Sequence, residues 1–135
     1  MNFVSINGVK LETVVAITYE EQCKGLMFVK QAFPISFPMT NPGIKKFWMK
    51  DTNVPLDIIF SFGGSITKIE YGKPLCTDFL GPDSITDLVV ELPFGIAEKI
   101  GAKVGDPISI NYDKETIVKK LSIKLASVSH RFRLP

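Results

Sequence analysis

Leu56-Asp57-Ile58-Ile59-Phe60-Ser61-Phe62-Gly63-Gly64-Ser65-Ile66-Thr67-Lys68-Ile69-Glu70-Tyr71 is the stretch that decides the fold class. Two runs rich in β-branched and aromatic residues flank a Gly-Gly pair, which is the composition of two antiparallel strands and the turn between them. Strands are therefore expected over Leu56–Phe62 and 65–71, and a further one over 44–49 extends them into a meander. Downstream, 85–92 and 107–112 are again strand-like, separated by a short helix that Pro93 opens and Gly101 ends. Pro, Gly, Asp and Ser over 72–84 read as a surface loop.

Upstream, Asn7-Gly8 readily takes the positive backbone angles of a tight hairpin turn, pairing 3–6 with a strand over 9–17. Thr18-Tyr19-Glu20-Glu21 is a capping box: the hydroxyl and the later carboxylate each satisfy a free amide of a first helical turn. A helix from Tyr19 to about Phe28 should follow. Gly25 lies inside it, costs about 1 kcal/mol against alanine, and implies close packing on another backbone. Three prolines over 33–43 predict an ordered loop or edge segment, since proline blocks helix and central strand alike. The expected fold is α+β, mainly β: a small closed or partly open β-barrel-like sheet with one or two short helices.

Composition sets the class. With 135 residues, 45% apolar and 22% charged, the chain can bury a core without a metal or disulfide. Cys23 and Cys76 have neither zinc spacing nor a CxxC partner and are expected to be free thiols. No metal and no cofactor is expected. No run reaches the length of a membrane span and residues 1–5 lack a signal-peptide layout, so a cytoplasmic setting is expected. Residues 1–118 hold 11 basic and 14 acidic side chains, a net of −3, whereas 119–135 hold five basic and none acidic. The chain therefore divides into a β-rich domain over 1–112 and a basic extension over 113–135.

Several segments together resemble the bacterial, archaeal and viral family known as domain of unknown function 192. They are Val14-Val15-Ala16-Ile17-Thr18 with Glu21, Gly25-Leu26-Met27-Phe28, Phe47-Trp48-Met49-Lys50-Asp51-Thr52 and Pro55-Leu56-Asp57-Ile58-Ile59-Phe60. Val90-Glu91-Leu92-Pro93, Gly95, Ala97, Gly101 and Gly105-Asp106 complete the match over about 9–111. The resemblance implies a small β-rich fold and carries no enzyme name. The chain departs from the family pattern at Val29-Lys30, where relatives commonly carry Arg, and at the proline-broken run around Phe37-Pro38-Met39. Many relatives carry an export signal, and none is expected here from residues 1–5.

For chemistry, the densest cluster is Trp48-Met49-Lys50-Asp51-Thr52-Asn53 with Pro55-Leu56-Asp57. A strand-loop-strand corner of this kind can gather an indole, a cation and a carboxylate, so Trp48, Lys50, Asp57 and Met27 are candidate ligand-binding residues. The bland alternative makes Trp48 core, Lys50 solvated and Asp57 a cap on backbone amides. Met27, Met39 and Met49 also suit adaptable core filling.

Asp57 and Glu91 each sit in an apolar strand, where a carboxylate either faces solvent or is held inside with a raised pKa. On one cleft they could form the acid and base of a small carbohydrate-active hydrolase. Nucleophilic catalysis has little to draw on, because the one histidine is His130, in the extension. In that extension Lys119, Lys120, Lys124, Arg131 and Arg133 are candidate contacts to a protein partner or a second copy; the acidic body argues against nucleic acid. The leading expectation is a non-catalytic ligand- or partner-binding domain, with a phage virion component as one setting and the Asp57–Glu91 hydrolase as the alternative.

Overall fold

The computed structural model describes residues 1–113. Its strands form two sheets, one of three strands and one of five. β1 (Phe3–Ile6) and β2 (Val9–Glu12) form the expected hairpin, with Asn7 and Gly8 both at positive φ, and β8 (Ile108–Asn111) pairs with the other edge of β1. The larger sheet runs β3-β4-β7-β5-β6, from β3 (Val14–Val15), β4 (Ile35–Ile44), β5 (Leu56–Phe62), β6 (Ser65–Gly72) and β7 (Ile85–Pro93). The fold is α+β and mainly β, with two short helices. The sheets do not close into a barrel, and β7 between β4 and β5 replaces the expected meander.

Each face of the five-stranded sheet has its own core. Ile59 of β5 and Leu88, Val90 and Leu92 of β7 meet Val4, Ile6 and Ile108 from the smaller sheet. Leu56, Ile58 and Phe60 of β5, with Val89 of β7 and Phe37 of β4, meet Leu26 and Met49 on the opposite face. β5 and β7 are thus covered on both sides, which explains their near-continuous apolar runs.

Three local readings change in three dimensions. The expected strand over 9–17 breaks at Thr13, after which β3 leaves the small sheet to run parallel to β4. Thr13 is buried, and its hydroxyl shares a hydrogen bond with Ser36 (2.8 Å). The proline-rich segment is a strand and not a loop: Ile35 and Ser36 pair with β3, and Ile35 to Pro38 pair with β7. Pro38 lies beyond the last residue paired with β3, and the register then shifts between Pro38 and Gly43, so the ladder tolerates the prolines. Finally, 44–49 is not a strand beyond Ile44; Phe47 makes an isolated bridge to Leu80.

Both helices are shorter than expected. Helix α1 (Tyr19–Lys24) starts at the capping box, with Thr18 and Glu21 bonded reciprocally, and ends at Gly25 because that residue takes a φ of 46°. A Cβ there would touch the side chains of Phe37 and Glu91 at 3.5 Å, so the close neighbours are side chains and not a backbone. Gln22 ties α1 to the sheet by donating to the carbonyls of Ala16 and Pro38, each at 3.0 Å. Pro93 ends β7 instead of opening a helix, and α2 (Ile96–Lys99) begins after Gly95.

Candidate functional site

Alternation along the paired strands β5 and β7 separates the two buried carboxylates. Asp57 lies opposite Leu92 and Ile58 opposite Glu91, so Asp57 shares the Leu92 face and Glu91 the Ile58 face. The two groups stand on opposite sides of the sheet. An acid–base pair acting on one bond needs both carboxyl groups on one cleft, and this geometry does not provide it.

Asp57 has a structural occupation. Its Oδ2 accepts hydrogen bonds from the backbone amides of Gly95 and Ala97, both at 3.0 Å, at the start of α2. Gly95 offers no side-chain cap of its own, so a carboxylate from the neighbouring strand satisfies the free amides.

Glu91 is placed otherwise. Its residue is 4% exposed. Nothing among the described residues hydrogen-bonds or ion-pairs with its carboxyl group. Burial alone raises its pKa from 4.5 to about 8, so at neutral pH it is a neutral acid that both donates and accepts.

That acid lines a cavity of about 350 Å³ between α1, β4, β7 and the segment after β4. Phe37, Phe47, Met27, Met39 and Leu26 give it apolar walls, and Trp48 stands at its side. Lys24, Lys45 and Lys46 complete the charged lining. Lys46 donates to the Gly81 carbonyl (2.6 Å) and pairs with Asp83 (2.8 Å). Tyr19 and Cys23 line the α1 side, and their mutual hydrogen bond raises the phenol's pKa. The Phe28 amide donates to the Asp51 carbonyl at 2.8 Å, with both residues at positive φ, joining the Met27 and Trp48 loops.

The structure therefore brings Trp48 and Met27 to one cavity with Glu91. It does not bring Lys50 or Asp57 there. Trp48 is 39% exposed and stacks on Phe79 (5.7 Å between centroids), while Lys50 places its ammonium 5.3 Å from the indole centroid. Met49, between them, is wholly buried. Phe37, Met39, Phe47, Lys45 and Lys46 join the site without a signal in the sequence that marks them as site residues. Phe37 and Met39 come from the proline-rich segment, whose strand character is visible only through its partners. Lys119, Lys120, Lys124, Arg131 and Arg133 lie outside the described residues. Among the described residues no group of three or more His, Cys, Asp or Glu side chains could hold a metal ion, and no helix is long and apolar enough to cross a membrane.

The family model for domain of unknown function 192 (DUF192), described as an uncharacterised ACR, matches residues 2–110. The chain belongs to the DUF192 family. A crystal structure from Novosphingobium aromaticivorans, described as a protein of unknown function, superposes with a TM-score of 0.73 at 30% identity, covering 80% of this chain and 82% of that one. A Sinorhizobium meliloti structure, described as a candidate transcription regulator, has a TM-score of 0.72 at 23% identity, covering 80% of this chain and 90% of that one; at that identity it shows a shared fold alone. No curated protein matches the chain significantly.

Two outcomes follow from these geometries. Asp57→Ala should cost about 2 kcal/mol in urea unfolding, because the buried amide of Ala97 and the partly buried amide of Gly95 lose their acceptor. For Glu91, the folded-state pKa lies above the unfolded value, so its contribution is fully present below pH 4.5 and lost as pH rises towards 8. In that window it should lower stability by about 1.4 kcal/mol per pH unit. Glu91→Gln should remove this slope, so the difference in stability between variant and wild type should grow in the variant's favour between pH 5 and 8.

Proposed function

We propose that this DUF192 protein is a small-molecule-binding domain whose site is the cavity floored by Glu91. The observation that carries the reading is the buried, unpartnered carboxyl group facing that space. Withdrawing a carboxyl group from most of its water without giving it a protein partner costs stability, and an apolar side chain at position 91 would avoid that cost. A ligand supplying the missing hydrogen bond offsets the cost when it binds.

The surroundings fit. Ligand sites are concave, mainly apolar and carry a few convergent polar groups, with volumes from about 300 Å³ upward, so this cavity suits a small occupant. Phe37 and Phe47, which pack edge to face at 5.1 Å between centroids, give it a rigid wall. Trp48 and Met27 are contact residues in this reading, whereas Lys50 orients the indole and Asp57 caps α2. Neither role needs bond chemistry, so the proposal is non-catalytic. Docking of a protein partner or second copy through the basic extension is a separate proposal.

Trp48 is the sole tryptophan of the chain, so its emission reports on this cavity. In a fragment screen by ligand-detected NMR, bound fragments should shift Trp48 emission and should lose at least tenfold in affinity for the cavity-filling variant Met27→Phe/Met39→Phe. Fragments that leave the emission unchanged and bind both proteins equally would contradict the assignment.

A further inference from the structure

The charges around the cavity narrow the ligand class, an inference that rests on the binding reading above. Its charged and acidic lining consists of Lys24, Lys45, Lys46 and Glu91. From the elements packed on Glu91, the titratable groups sharing its space are Tyr19, Cys23 and Lys24 on α1 and Lys45 and Lys46 after β4. Its cross-strand neighbours, Ile35 on β4 and Ile58 on β5, are apolar. With Glu91 uncharged, the lining holds no ionised carboxylate, and Lys24 and Lys45 are its cations not already engaged by an ion pair among the described residues. Lys46 is already paired with Asp83, but Lys45 has no ion-pair partner among the described residues.

A cation entering this space meets lysine repulsion. An anion meets the opposite field, and the neutral acid at the floor can donate to it. A phosphate monoester, with a charge of about −1.5 to −2 at pH 7, asks for more compensation than a carboxylate, and Lys46 is already committed to Asp83. The aromatic and methionine walls call for an apolar body attached to the charge.

We propose that the occupant is a small organic carboxylate with an apolar body, its carboxylate accepting a hydrogen bond from the Glu91 carboxylic acid beneath the lysine rim. The bond needs the proton on Glu91. Affinity is therefore level from the ligand's own carboxyl pKa up to that of Glu91 and falls as pH rises above it, by up to tenfold per unit. Glutamine at this position keeps an N–H donor but cannot titrate, so that variant binds without the alkaline decline.

Three probes with one six-carbon body test the class: hexanoate, hexylammonium and hexan-1-ol, titrated by calorimetry at pH 7 into wild type, Lys45→Gln and Glu91→Gln. Hexanoate should bind wild type at least tenfold more tightly than either other probe. Lys45→Gln should weaken hexanoate severalfold and leave hexan-1-ol unchanged. Between pH 7 and 9.5, hexanoate affinity should fall in wild type and stay level in Glu91→Gln. Tighter binding of hexylammonium, or equal binding of hexan-1-ol, would overturn the carboxylate assignment while leaving a ligand site in place. Failure of all three probes to bind at millimolar concentration would overturn both the assignment and the binding reading beneath it.

Discussion

The ladder between β5 and β7 is buried on both faces, and side-chain alternation along it distributes every polar group it contains. Because successive residues point to opposite sides, Asp57 must join the core beneath the smaller sheet when Ile58 and Glu91 face α1. One carboxylate is then met by the amides of α2 and becomes part of the frame. The other is met by no hydrogen-bonding group among the described residues. A one-residue slip in this pairing would bring both carboxylates to one face and turn one strand's apolar side chains over, which two apolar cores forbid. The neutral acid is thus a consequence of register.

An unpartnered acid inside a small domain opposes stability, and the rest of the site accommodates it. α1 is held by the capping box at Thr18 and by Gln22 on the carbonyls of Ala16 and Pro38. Gly25 turns the chain so that Leu26 enters the core and Met27 reaches the cavity. The Phe37–Phe47–Phe60 edge-to-face series stiffens the opposite wall. These contacts keep the space open without help from Glu91. A side chain that costs stability while its neighbours hold a cavity around it is the arrangement expected of a binding residue.

Signals confined to a few neighbouring residues were legible in the sequence. Asn7-Gly8, Thr18 with Glu21, and Gly63-Gly64 each specify their turn or cap through local backbone chemistry, and all three stand where expected. Elements decided by distant partners were not. β4 carries two prolines against its propensity because β3 and β7 supply the pairing, and 44–49 loses strand form because Phe47 bridges to Leu80 instead of joining the sheet. Similarly, Trp48 and Met27 could be singled out from composition, but Lys50 and Asp57 were grouped with them on sequence nearness alone. The faces that part Asp57 from Glu91 depend on register, which a single strand read by itself does not reveal.

The central claim is that Glu91 carries a proton at neutral pH on the floor of the cavity. Carbon-detected NMR of the Glu91 side-chain carboxyl, followed from pH 4 to 10 in ligand-free protein, measures this directly. A titration midpoint near 8 is the predicted result. A midpoint near the ordinary glutamate value of about 4.3 would show an ionised group at neutral pH and contradict the account.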